Sequence, residues 1–151
     1  MTERPVGVGI LGAGRPNIAT SEQIPACRRS ARVRLIAVCD RLDGVRDVAR
    51  QVGCRAYTDY ERMLDDPAIE MVQIATPDWC HVPHAEAALA RGRHVLLQKP
   101  PCVDLAGLNR LRLAAERSAG NLKVLLNTRH RLLSRTIRRE LAADVIGELE
   151  P

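Results

Sequence analysis

The run VGVGILGAGRPN, Val6 to Asn17, constrains this chain more than any other stretch. Val6, Val8, Ile10 and Leu11 have the character of a buried strand, and Gly12-Ala13-Gly14 ends that strand in a turn. A dinucleotide site needs this order. The first glycine makes the tight turn, and the second lets the backbone approach a pyrophosphate. The helix that follows points its free N–H groups and positive dipole end at the phosphates. A second G-x-G-x-x-G can be read from Gly7, Gly9 and Gly12, but it lies inside the strand, where no turn can start. In the Gly12 register the third glycine position holds Asn17. Without the close helix–strand packing that glycine allows, the helix must stand off or start later.

Asp40 strengthens the reading. It closes the next apolar run, Val33 to Cys39, where an acidic residue can accept hydrogen bonds from the hydroxyls of an adenosine ribose. Its distance from Gly14 is longer than usual, so the first turn or helix should carry extra residues. Gly12, Ala13, Gly14, Arg15, Asp40 and Arg41 are thus candidate cofactor contacts. The carboxylate favours NAD over NADP, because it repels a 2′-phosphate, and Arg41 beside it softens that preference.

Along the chain, helical and strand patterns alternate. Arg15 to Ser30 should be mostly helix, starting at Pro16 and kinked or restarted at Pro25. Val33–Cys39 is a strand, Asp43–Val52 a helix stopped by Gly53, and Ala56–Tyr57 a short strand. Tyr60–Leu64 reads as a short helix, Met71–Ala75 as a fourth strand and Val82–Arg91 as a helix stopped by Gly92. His94–Leu97 is a fifth strand, Leu105–Ala119 a helix, Leu122–Leu126 a sixth strand and Leu133–Ala142 a last helix. This rhythm predicts an α/β fold, a doubly wound parallel sheet with right-handed crossovers. Ligands of such sheets lie across the carboxyl ends of the strands. The marked stretches all fall there: Gly12–Gly14, Asp40, Thr76–Trp79, Gln98–Pro100 and Asn127–His130.

Composition removes other classes. The chain has 151 residues and is 46% hydrophobic, enough for one domain and the start of another. There is no Phe, one Trp and two Tyr, so the core is aliphatic and stacking aromatics for RNA or single strands are scarce. The net charge of +5 comes mostly from scattered arginines, read as solvated helix faces that also favour an anionic ligand. A nucleic-acid partner would rest on those arginines alone. Five cysteines without C-x-x-C spacing read as thiols in a reducing compartment. With no signal peptide and no apolar run of membrane-spanning length, a cytoplasmic protein is expected. Cys80, His81 and His84 do not make a metal site.

Four stretches together resemble the Gfo/Idh/MocA family of NAD(P)-dependent oxidoreductases. They are VGILGAGR (8–15), the long run from DYERM to LLQKP (59–100), LNTRHR (126–131) and VIGEL (145–149). The resemblance implies a Rossmann dinucleotide domain over residues 1–128 and the start of a second α/β domain over 129–151. It implies hydride transfer to or from a carbon of a sugar, polyol or related cyclic compound, with NAD or NADP as cofactor. Gly12, Ala13 and Gly14 would hold the pyrophosphate and Asp40 the ribose. Thr76, Pro77 and Trp79 would line the nicotinamide side, with His81 at the head of the next helix. Lys99 matches the lysine of the family's E-K-P turn, near nicotinamide and substrate, where a cation can stabilise a developing alkoxide. Arg129 matches an arginine after the sixth strand.

The departures are Gln98 for the family's glutamate, Asp78 for asparagine, Asn17 for the third glycine, and an end at Pro151, where the second domain would be starting. A second domain or a complementing chain would then complete the site, and the partners expected besides dinucleotide and substrate are such a chain or a homo-oligomer. The other readings are a non-catalytic dinucleotide-binding module and a truncated gene product.

Overall fold

The computed structural model describes residues 4–143. Six parallel strands form one sheet in the order β3-β2-β1-β4-β5-β6. They are β1 (Val6–Leu11), β2 (Val33–Cys39), β3 (Arg55–Tyr57), β4 (Met71–Ile74), β5 (His94–Leu97) and β6 (Leu122–Val124). The order reverses between β1 and β4, and the crevice at their carboxyl ends is where such sheets take ligands. β1 runs in register with β4 from Val8↔Met71 to Leu11↔Ile74. Against β2 the register slips once, between Val8 and Gly9.

Each face of the sheet has its own helices. A π turn (Ala19–Gln23) continuing into α1 (Ile24–Arg29), together with α2 (Gly44–Val52), covers β1 and β2 through Ala19, Ile24, Val45 and Ala49 packed on Val8, Ile10 and Val38. On the other face lie α3 (Tyr60–Leu64), α4 (His81–Ala90) and α5 (Leu105–Arg117). There Met63, Leu64, Leu89 and Leu111 pack on Val72, Ile74 and Leu97. Burial of these aliphatic side chains contributes roughly 1.5–3 kcal/mol each, which is how a core without Phe holds together. The last helix, α6 (Leu132–Ala142), buries none of its residues.

Local chemistry sets the boundaries. Asp59 and Asp104 cap α3 and α5 by accepting from Glu61 and Arg62 N–H and from Gly107 N–H respectively. Gly53, in the left-handed region, ends α2. Ser118 ends α5 two residues before the expected Ala119 by turning its hydroxyl to the Leu89 carbonyl. β6 stops at Val124 instead of Leu126.

The first helix departs most from expectation. Pro16 does not start it; the chain bends through 14–17 and the π turn begins at Ala19. Pro25 has no N–H to give to an α-type ladder, and directly before it Ile24 N–H reaches back to the Ala19 carbonyl, a wider turn. The extra residues between Gly14 and Asp40 are absorbed in this bend and wide turn. The expected second-domain start, 129–151, falls partly beyond the described residues, and VIGEL lies wholly outside them.

Candidate dinucleotide site

The carboxyl ends of β1, β2 and β4 enclose a cavity of about 960 Å³. Gly12, Arg15, Asn17, Asp40, Arg41, Thr76, Pro77 and Trp79 are in its wall, with Tyr60 and His84 behind. Gly12 has a φ of +94°, and a Cβ there would stand 2.6 Å from the Ala75 carbonyl oxygen. At Gly14 a Cβ would stand 2.6 Å from the Asp40 carboxyl carbon. Both positions therefore require glycine, and Gly12 leaves bare backbone in the cavity wall.

Asp40 is held from two directions. Its Oδ2 accepts from Gly14 N–H at 2.8 Å and its Oδ1 from Leu42 N–H at 3.0 Å. Each oxygen keeps a lone pair that faces no described donor, so the carboxylate both braces the turn and can receive hydroxyl protons. Arg15 and Arg41 are exposed beside it. Cys39, at the end of β2, has its thiol pushed up to about 12 by burial and by the charges of Asp40 and Asp59. No thiolate adds to the negative charge there.

Asn17 does what the missing glycine cannot. Its Nδ2 donates to the Gly12 carbonyl at 2.6 Å, and its Oδ1 accepts from Ala19 N–H at 2.8 Å and Thr20 N–H at 3.4 Å. Thr20 Oγ1 accepts in return from Asn17 N–H at 3.0 Å. This is the reciprocal pattern of a capping box, written with Asn and Thr. Two first-turn donors expected to face a pyrophosphate are thus held by a side chain. The exposed Arg15 guanidinium and the bare glycine backbone are what the turn offers a phosphate.

His81 does not present its side chain to the cavity. It is fully buried, with Nδ1 2.7 Å from the Pro100 carbonyl oxygen and Nε2 2.9 Å from that of Thr76. It ties the turn after β4 to the turn after β5, and so places the Lys99-Pro100 segment, joined by a cis peptide, beside the cavity. Lys99 and Arg129 are both exposed, and neither lies in the cavity wall. Gln98 is buried, and its Oε1 accepts from Lys99 N–H at 3.1 Å. The Lys99 ammonium has no carboxylate partner among the described residues.

Two residues escaped the reading from sequence as site residues. Tyr60 hydrogen-bonds the His84 carbonyl at 3.0 Å, and its ring meets the His84 ring edge-on, 5.1 Å between centroids. Burial and the charges of His81 and Arg41 hold the His84 imidazole below its usual pKa. Their only signal was a shared position near strand ends. Among the described residues no group of three or more His, Cys, Asp or Glu is placed to hold a metal, all five cysteines are free, and no helix is long and apolar enough to cross a membrane.

A parallel sheet with its glycine turn and acidic partner at the reversal of strand order defines a dinucleotide-binding Rossmann domain. The family model described as "Oxidoreductase family, NAD-binding Rossmann fold" matches residues 6–126, and the chain belongs to that Gfo/Idh/MocA family. The dTDP-3,4-didehydro-2,6-dideoxy-alpha-D-glucose 3-reductase of Streptomyces antibioticus is 35% identical over 93% of the chain and 43% of that protein. The D-glucoside 3-dehydrogenase of Escherichia coli is 28% identical over 99% of the chain and 42% of its own length. Among solved structures, KijD10, a 3-ketoreductase from Actinomadura kijaniata in complex with NADP, superposes with a TM-score of 0.87 at 26% identity. That match covers 95% of this chain and 46% of KijD10. The chain thus spans less than half the length of each of these relatives.

Proposed function

We propose that this chain is the cofactor-binding part of an NAD(P)-dependent oxidoreductase acting on a sugar, a polyol or a related hydroxy or carbonyl compound. Residues 1–128 form the dinucleotide domain and 129–151 open a second domain. The observation that carries this is the cavity in which the bare Gly12 backbone, Arg15 and the Asp40 carboxylate, itself bonded to the Gly14 N–H, meet. That set fits a dinucleotide. The glycines and Arg15 receive the pyrophosphate, and the free lone pairs of Asp40 receive the ribose hydroxyls. Asp40 favours NAD, and Arg41 gives a 2′-phosphate some compensation.

The nicotinamide ring supplies or accepts the hydride. Lys99 stabilises negative charge at the substrate oxygen or orients its hydroxyl, from a turn fixed by the His81 clamp. The sugar-directed names of the relatives support the substrate class. A second reading, a dinucleotide-binding module without turnover, is favoured by Gln98. Its amide binds backbone and gives Lys99 no charged partner to tune it.

Turnover separates the two. The chain would be supplied with NAD and a panel of pyranosides, polyols and nucleotide-linked sugars while nicotinamide absorbance is followed. The first reading expects a substrate-dependent change that Lys99→Ala removes without weakening NADH binding. Binding with no turnover on any member, even with longer family members added as complementing chains, favours the module.

A further inference from the structure

We infer that Trp79 is the adenine-binding aromatic of this chain, closing over the base from the cavity rim with the Tyr60–His84 pair as the wall behind it. The inference rests on the dinucleotide reading of the cavity and assigns one end of it. Trp79 is the chain's single tryptophan and is 73% exposed, on the short 3-10 turn Asp78–Cys80. A large aromatic with so little packing contributes little to the core, and this one stands in the wall of a cavity.

Which half of a dinucleotide it meets follows from its neighbours. The same wall contains Asp40, Arg41, Asp59 and Tyr60, and it does not contain Lys99. With the pyrophosphate on Gly12–Gly14 and a ribose on Asp40, the space beyond Asp40, between the end of β2 and the turn after β4, is left for the adenine. Arg41, at the end of β2, and His84, in the first turn of α4, both line the same cavity.

The far wall is tied together by side-chain contacts. His84 Nδ1 lies 3.2 Å from Thr76 Oγ1, and the imidazole sits edge-on to the partly buried Tyr60 ring. His84 Nε2 makes no hydrogen bond among the described residues, which leaves it for the polar edge of the base. Trp79 is thereby reassigned from the nicotinamide side, where the family resemblance put it, to the adenosine side. Stacking of a base on an aromatic ring is tolerant of exact geometry, which suits a residue on a short exposed turn.

A single tryptophan makes the test direct. Binding of ADP-ribose and of nicotinamide mononucleotide would be measured by calorimetry while Trp79 emission is recorded. ADP-ribose should bind and quench the emission, and nicotinamide mononucleotide should leave it unchanged. Trp79→Ala should weaken ADP-ribose by about tenfold, and Trp79→Phe should recover most of that loss. The exposed position means both variants should melt like the parent chain. If ADP-ribose binds with no change in emission, or if nicotinamide mononucleotide alone quenches it, the assignment of Trp79 is wrong while the dinucleotide site stands. If neither NADH nor ADP-ribose releases or absorbs heat on a folded chain, the dinucleotide reading itself fails and the assignment falls with it.

Discussion

Asn17 shows how a single residue can depart from a motif and keep its purpose. A third glycine would let helix and strand pack closely. Asn17 instead starts the helix later and ties its first turn to the Gly12 carbonyl, where the glycine turn begins. Asn17→Ala should therefore lose about 1–2 kcal/mol of stability, read from urea unfolding, because both the cap and the tie disappear. Its sequence position marked the departure, but a reciprocal Asn–Thr cap needs side-chain directions that a pattern of residue types does not carry. Asp66 offers a second test at this scale. Burial raises its carboxyl pKa, but Arg55, the Ala68 N–H and the Tyr57 hydroxyl outweigh that and hold it below the usual carboxylate value. The stabilisation it gives is present above the carboxylate's unfolded pKa and lost as pH falls through the lowered folded value. The stability gap between the parent chain and Asp66→Asn should thus shrink steadily as urea midpoints are taken to acid pH. A gap independent of pH would remove Asp66 from the account.

The elements were legible because each carried its own period and its own stop. β1, β2, β4 and β5 lie within a residue of their expected bounds, and α2, α4 and α6 within one or two. The π turn was less legible: Pro25 announces that a helical bond is missing, and only packing decides whether the chain kinks, restarts or widens. His81 also acts at this scale. The sequence set it at the head of a helix among the cofactor contacts, whereas its ring joins two turns from within. His81→Ala removes the buried ring that joins the Pro100 and Thr76 carbonyls and leaves a cavity behind, so it should cost about 3 kcal/mol in thermal or chemical unfolding. A loss smaller than that of an exposed helix substitution would mean the clamp does not hold the turns. α6 stands at the other extreme. Leu132, Leu133 and Ile137 are exposed on it, and an eleven-residue helix without tertiary packing is marginal. Its amides should exchange with solvent far faster than those of α4, measured by hydrogen exchange on the chain. Equal protection in both helices would show that α6 has found a partner surface.

At the scale of the whole molecule, the sequence led to the right sheet and the right edge of it. Strand–helix alternation leaves few topologies once crossovers are right-handed, and the glycine turn then marks the crevice. The division of labour along that edge was less legible, because it depends on which strand ends share a wall. Trp79 lies with Asp40, whereas Lys99 lies outside the cavity and is coupled to it through His81. The proposed function requires that the Gly12–Gly14 turn and Asp40 together hold a dinucleotide. Its most direct test is a calorimetric titration of the chain with NADH, repeated on Asp40→Ala and with NADPH. NADH should bind, NADPH should bind more weakly, and the variant should stay folded and lose about tenfold in NADH affinity. A folded chain that takes up neither cofactor at millimolar concentration, or a variant that binds NADH as tightly as the parent, would contradict it.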